Sequence, residues 1–194
     1  YTKKDASCFG KKDGSIDVTV SGGVLPYNFR WSNNQTIEDI QNLAPNTTYT
    51  LTVIDANGCS VSQTIGINEP QLLRGSLSVQ NTICKSSTDG IVTAEISGGT
   101  KPYNLTWKGL PYKENIIKNL KPGTYELLVT DANGCSITMS SEVFAGNCPP
   151  VAINDLLKTD EEIPITGSVA DNDFDREKEE ISFILLSNAQ NGTI

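Results

Sequence analysis

Apolar side chains along this chain fall mostly on every second position, in short runs separated by Gly, Asn, Asp and Pro. Leu77 and Val79 alternate with polar residues, as do Val92, Ala94 and Ile96, then Tyr103, Leu105 and Trp107, then Tyr125, Leu127 and Val129, and finally Cys135, Ile137 and Met139. Successive side chains of a strand point to opposite faces, so each run reads as a strand with one buried face. Asp89-Gly90 and Ser97-Gly98-Gly99 interrupt the runs as turn signals, and Asp131-Ala132-Asn133-Gly134 reads as the turn of a hairpin. The earlier part of the chain gives the same picture, with Ile16/Val18/Val20, Tyr27/Phe29/Trp31 and Tyr49/Leu51/Val53. Short alternating runs with turn signals about every 8–12 residues predict small antiparallel β-sandwiches.

The two sets of runs are copies of one another. Asp55-Ala56-Asn57-Gly58-Cys59 recurs intact as Asp131-Ala132-Asn133-Gly134-Cys135, a shift of 76 positions. The same shift carries Cys8 to Cys84, Asp13-Gly14 to Asp89-Gly90, Ser21-Gly22-Gly23 to Ser97-Gly98-Gly99, Pro26-Tyr27-Asn28 to Pro102-Tyr103-Asn104, Trp31 to Trp107 and Tyr49 to Tyr125. Between Trp and Tyr there is one compensated slip, Leu43 pairing with Leu120. A repeat in one register over this many positions is an architectural signal that precedes any local reading. The expected organisation is a first unit over residues 1–69 with a truncated N-terminal strand, a second over 70–148 and a partial third segment over 149–194. The fold class is all-β, as tandem Ig-like sandwiches arranged end to end, with Asn68-Glu69-Pro70 as a short, stiff linker. Trp31 and Trp107 are expected in the cores, between sheets. Leu43-Ala44-Pro45…Tyr49 and Leu120…Tyr125 read as tyrosine corners, in which the phenol caps a crossing loop.

Composition narrows the chemistry. There is no histidine, which removes the commonest general base and metal ligand at neutral pH. Hydrolysis would then need an Asp/Glu pair, and the recurring Asp55 and Asp131 sit in turns where Asp serves backbone N–H groups, so no enzymatic activity is expected. No apolar run is long enough to span a membrane, and the N-terminal Tyr1-Thr2-Lys3-Lys4 is neither a signal peptide nor a Met start, so the chain reads as a window on a longer, processed protein. Residues 1–150 hold 13 acidic and 12 basic residues, and residues 151–194 hold 10 and 3. The acidity therefore belongs to the last segment, and no basic stripe suggests nucleic acid.

Cys8 to Cys59 and Cys84 to Cys135 are both 51 apart at equivalent positions, which predicts one bridge inside each copy. Each would be worth roughly 4 kcal/mol in the chain-entropy account and would staple a thin core. A cysteine metal site lacks any Cys-x-x-Cys pair. Cys148, in Asn147-Cys148-Pro149-Pro150, is left with three options: an external partner, a free thiol, or a bridge to a neighbouring copy. Bridges imply an oxidising, extracellular destination.

In the third segment, Ile163, Ile165 and Val169, and Ile181 to Leu186, suggest strands. Asp171, Asn172, Asp173 and Asp175 lie between them as a candidate Ca²⁺ loop of hard oxygen donors, with Asn154-Asp155 and Glu161-Glu162 as further donors; the alternative is a solvated acidic turn. Exposed aromatics such as Phe9 or Tyr112 would suit a carbohydrate-binding module. Asn34-Gln35-Thr36, Asn46-Thr47-Thr48, Asn104-Leu105-Thr106 and Asn191-Gly192-Thr193 match the N-glycosylation pattern by accident of an Asn/Thr-rich composition.

Each copy thus reads Cys…Asp-Gly…Ser-Gly-Gly-x-x-Pro-Tyr-Asn…Trp…Leu-x-Pro…Tyr…Asp-Ala-Asn-Gly-Cys. This closely resembles the SprB-type repeat of large cell-surface adhesins of gliding Bacteroidota, over about residues 1–148. Asn46-Thr47-Thr48 in the first copy and Trp107-Lys108-Gly109-Leu110 in the second depart from the usual pattern. Val169-Ala170-Asp171-Asn172-Asp173-Phe174-Asp175 resembles a segment of cadherin-like or bacterial Ig-like repeats. The resemblance implies export by the type IX secretion system, display outside the outer membrane and filaments moved by the gliding machinery, with an extracellular surface or polysaccharide as partner.

Overall fold

The computed structural model describes residues 1–154, 163, 168, 172–176 and 178–184, and among them it contains twelve strands and no helix. In the first copy these are β1 (Thr2–Lys4), β2 (Gly14–Asp17), β3 (Asn28–Trp31), β4 (Ile40–Leu43), β5 (Thr47–Ile54) and β6 (Ser60–Ile67). The second copy supplies β7 (Arg74–Gln80), β8 (Gly90–Ser97), β9 (Asn104–Trp107), β10 (Ile116–Leu120), β11 (Gly123–Thr130) and β12 (Ser136–Val143). Each copy forms two three-stranded sheets of matching order, β1-β2-β4 with β3-β5-β6 and β7-β8-β10 with β9-β11-β12. The fold is all-β, and β1 with β2, β2 with β4, β3 with β5, β5 with β6 and β9 with β11 pair antiparallel, as the alternation predicts.

By compactness the chain divides into two units that follow packing rather than the 76-residue period. One comprises Tyr1–Ser78, Val92–Ile117 and Thr124–Ser141; the other comprises Val79–Ile91, Lys118–Gly123 and Glu142–Ile194. In the first unit, the core of the first copy joins Ile16, Ile40 and Leu43 of one sheet to Trp31, Tyr49, Leu51, Val53, Ile65 and Ile67 of the other. Trp31 is 2% exposed and donates its indole N–H to Ile37 O at 2.9 Å. Trp107 is 1% exposed and donates to Glu114 O at 3.0 Å. Both are satisfied core aromatics, as expected of a buried indole. Tyr49 makes the expected corner, its phenol oxygen accepting from Ala44 N at 2.9 Å.

Two strands escape the alternation, and one expected run needs correction. β4 and β10 have buried residues three apart, Ile40 with Leu43 and Ile117 with Leu120, a spacing that alternation hides. The cause is a bulge: β2 pairs Gly14 with Leu43 but Ser15 with Gln41, leaving Asn42 extra. Asn42 has φ 56° and its counterpart Asn119 has φ 58°, a left-handed conformation that Asn tolerates and that re-aims the strand. The Ile16/Val18/Val20 run also ends as a strand at Asp17, because three-residue β1 pairs only to that point. Beyond it the Val18 N–H is taken by the Asp39 carboxylate at 2.8 Å, although Val18 and Val20 still pack on the core.

Asp-Gly proves not to be a turn. Gly14 and Gly90 open β2 and β8 and are buried. A Cβ on Gly14 would lie 2.7 Å from Ile67 Cγ2. In the second unit, a Cβ on Gly90 would lie 2.8 Å from Val143 Cγ1 and 2.9 Å from Leu120 O. The glycine permits close approach rather than a special backbone angle. In this second unit Val151 also pairs with Phe174 through two backbone hydrogen bonds. Ile181 to Ile184 form no strand, contrary to expectation, and Ile165, Val169, Leu185 and Leu186 lie outside the described residues.

Candidate functional site

The repeated Asp-Ala-Asn-Gly-Cys segment and the repeated Ser-Gly-Gly loop form one device. In the second copy, Asp131 Oδ1 accepts from Asn133 N at 2.9 Å and Cys135 N at 2.9 Å, closing the turn. Its Oδ2 accepts from Thr100 N at 2.8 Å, just past Gly99. The loop answers with its own carbonyl, Ala132 N donating to Thr100 O at 2.8 Å. In the first copy Asp55 does the same with Asn57 N at 2.9 Å, Cys59 N at 2.8 Å and Val24 N at 3.1 Å. The approach needs the second glycine of the loop. Gly99 has φ 60°, and a Cβ there would lie 2.8 Å from Asp131 Oδ2. The tyrosine after the cis-proline ties down the first glycine, Tyr103 donating to Gly98 O and Tyr27 to Gly22 O.

These hydrogen bonds set the charge state of the aspartates. Burial alone would raise the Asp131 carboxyl, but the N–H groups of Thr100, Cys135, Asn133 and Gly134 outweigh it and hold its pKa below the ordinary value. Val24 N–H first, then those of Cys59, Asn57 and Gly58, lower Asp55. Both oxygens of these carboxylates are engaged by the backbone, so they act as fasteners.

A second aspartate positions the first cysteine of each copy. Asp13 accepts from Ser7 N at 2.9 Å and Ser7 Oγ at 2.6 Å, and the Ser7 bonds hold its pKa down to about 2. Asp89 receives Ile83 N in the equivalent place, at 3.2 Å. Each aspartate thereby fixes the residue immediately before its cysteine.

The bridges differ from the sequence expectation. Cys8 pairs with Cys135, not Cys59, with Cα atoms 5.8 Å apart. Cys84 pairs with Cys148, not Cys135, with Cα atoms 4.5 Å apart. Cys148, for which three fates were open, is bonded and 3% exposed. Cys59 is the free cysteine, and it is exposed. The physical reason is the period itself. Cys59 and Cys135 occupy equivalent turns, so a spacing rule cannot distinguish a bridge within a copy from one that reaches the next copy's turn; only the placement of the Cα atoms decides. The first bridge is accompanied by a hydrogen bond from the Asn133 carboxamide to Ser7 O at 2.9 Å. The second follows from a local pairing: Gly146 N donates to Thr82 O at 2.9 Å, and Thr82 N to Phe144 O at 3.2 Å. That pairing lays the segment leading to Cys148 beside Thr82-Ile83-Cys84. A Cβ on Gly146 would meet Thr82 O and Ile83 O at 2.3 Å, so only glycine fits there.

In the acidic loop two carboxylates accept backbone hydrogen bonds. Asp173 Oδ1 accepts from Ile153 N at 2.7 Å and Asp175 Oδ1 from Glu179 N at 3.2 Å. Asn172 Oδ1 is buried without a partner. Among the described residues no three acidic or cysteine side chains gather as a metal group; Asp171, Asp155, Glu161 and Glu162 lie outside those residues. Among the described residues, Asp173 and Asp175 thus serve backbone N–H groups. Of the aromatics considered for sugar stacking, Phe9 is 53% and Tyr112 is 38% exposed. Phe9 lines a cleft beside the Cys8–Cys135 bridge that Tyr112 does not share. Among the described residues no helix is long and apolar enough to cross a membrane.

Comparison with known proteins agrees with the repeat. No curated protein matches the chain. Among solved structures, the chain is similar to the N-terminal eight Ig domains of Down syndrome cell adhesion molecule isoform 1.30.30, at 15% identity and a TM-score of 0.40, covering 80% of this chain and 24% of that one. It is also similar to the amphioxus IgVJ-C2 molecule, at 15% identity and a TM-score of 0.35, covering 69% of this chain and 97% of that one. The chain thus spans about a quarter of the length of the first of these. Residues 1–36 and 76–111 each match the family described as SprB repeat. Each match takes in the first cysteine, the Asp-Gly pair, the Ser-Gly-Gly loop and the core tryptophan of its copy.

Proposed function

We propose that this chain is a structural and adhesive segment of a large cell-surface adhesin, exported by the type IX secretion system and displayed as a filament that serves attachment and gliding. The observation that carries this reading is the tandem match to SprB repeats. The Cys8–Cys135 bridge between consecutive copies supports it, because an extended surface polymer gains from covalently tied units and needs an oxidising exterior to form them. A repeat array of this kind works by presenting and spacing surfaces rather than by a single cleft.

The test is made on the cells that produce the protein. Antibodies against this segment are expected to label intact cells, and the label to travel along gliding cells. Deleting the segment in frame is expected to lower attachment to a surface while leaving growth unchanged. Label confined to the cell interior would reject the reading. A carbohydrate-binding module is the second reading, supported by the exposure of Phe9 and Tyr112. Binding on a glycan array that is lost in Phe9→Ala or Tyr112→Ala would favour it.

A further inference from the structure

Cys59 occupies in the first repeat the place that Cys135 occupies in the second. Both follow the same Asp-Ala-Asn-Gly turn, and their N–H groups are held by Asp55 and Asp131 at 2.8 and 2.9 Å. Cys135 is bonded to Cys8 of the other repeat, whereas Cys59 is free and exposed.

The surfaces around the two thiols also correspond. Gly23, Asp55, Cys59, Ser60 and Val61 line a cleft of about 170 Å³ in the first repeat. Their counterparts Gly99, Asp131, Cys135, Ser136 and Ile137 line one of about 270 Å³ in the second. There the lining is completed by Cys8 and Phe9 from the neighbouring repeat and by the Pro70–Leu73 segment that leads into the second repeat. Ile137 is half-buried, while Val61 in the first repeat's cleft is 64% exposed. Asp55 is likewise more open than Asp131, which is 5% exposed. Asn57 stands where Asn133 donates to Ser7 O at 2.9 Å.

We propose that the cleft at Cys59 is the docking site for the Cys8-type loop of another SprB repeat, and that Cys59 forms a disulfide with that loop's cysteine. The rule of pairing is then one repeat's first cysteine with the next repeat's turn cysteine, giving a ladder of covalently linked units. Cys84, the first cysteine of the second repeat, takes Cys148 instead, so Cys148 closes the ladder where an acidic segment of another kind follows. Bond formation removes two protons and two electrons from the two thiols. A disulfide oxidant accepts them, its own S–S bond being reduced to two thiols. The inference rests on the reading of the chain as an exported repeat segment, but its test does not depend on adhesion or gliding.

The protein is isolated from its native source without reductant, alkylated, digested and mapped by mass spectrometry. The expected result is a Cys59 peptide joined to a peptide in which the cysteine lies five residues before Asp-Gly, as in Cys8…Asp13. Non-reducing electrophoresis then assigns the partner: a mass shift on reduction means a repeat in a second chain, and none means a repeat in the same chain. Cys59 recovered alkylated, joined to Cys8, or capped by a small thiol overturns the proposal. A second measurement uses the 194-residue chain with Cys135→Ser, which frees Cys8. With oxidised glutathione as oxidant, it is expected to form chain-to-chain oligomers through Cys8 and Cys59, abolished in Cys59→Ser/Cys135→Ser. A monomer with Cys8 closed on its own Cys59 is the contrary outcome.

Discussion

Asp131 shows how much one carboxylate organises here. It holds three backbone N–H groups from two loops while 5% exposed. Asp131→Ala leaves those donors without their acceptor in a closed site, and the expected loss is about 2–4 kcal/mol in chemical denaturation. Asp55→Ala is expected to cost less, because water reaches the exposed turn of the first repeat. The same aspartates give the molecule a pH dependence of definite sign. Asp5, Asp13, Asp55 and Asp131 all have lowered pKa values in the fold. Their unfolded counterparts therefore take up protons first as pH falls. Their contribution is complete above about pH 4 and is lost as pH drops through the folded values, near 2 for Asp13. Thermal midpoints are expected to be flat from pH 7 to about 5 and to fall below about 4, and Asp13→Asn should flatten the fall.

At the level of elements, most of the fold could be read from the sequence, and the exceptions have local causes. Leu105 and Trp107, or Leu127 and Val129, alternate cleanly because β9 and β11 pair without interruption from Leu127↔Trp107 to Thr130↔Asn104. β4 could not be read that way, since Asn42 inserts a residue and turns the next side chain to the same face. Asn42→Gly is expected to leave stability nearly unchanged, whereas Asn42→Val should lower it by about 1–2 kcal/mol, because a β-branched residue resists positive φ. The signal that could have joined the Ser-Gly-Gly loop to the Asp-Ala-Asn-Gly-Cys turn was present, since both recur without change. Repetition alone, however, does not say that two invariant loops touch. The bridges were illegible for a different reason: a period of 76 makes every turn cysteine an equal candidate, and proximity breaks the tie.

For the molecule as a whole, the bridges carry much of the tertiary closure. Cys8–Cys135 closes 127 residues and Cys84–Cys148 closes 64, worth about 5 and 4 kcal/mol in the chain-entropy account. Cys8→Ala with Cys135→Ala is expected to lower the denaturation midpoint without changing the circular-dichroism signature of the β-sheets, because each repeat keeps its own Trp-centred core. The first bridge also decides where tension travels. A pull applied at Tyr1 and Ile194 enters at residue 8 and passes through sulfur to residue 135, so the chain between these two cysteines, 127 positions apart, is slack. At about 3.3–3.6 Å per residue, more than 400 Å of chain is withheld from extension. In a single-molecule pulling experiment the oxidised segment should yield short extensions at any force that spares covalent bonds. Reduction of both bridges should release the hidden length, which makes this a thread whose reach is set by the redox state of its surroundings.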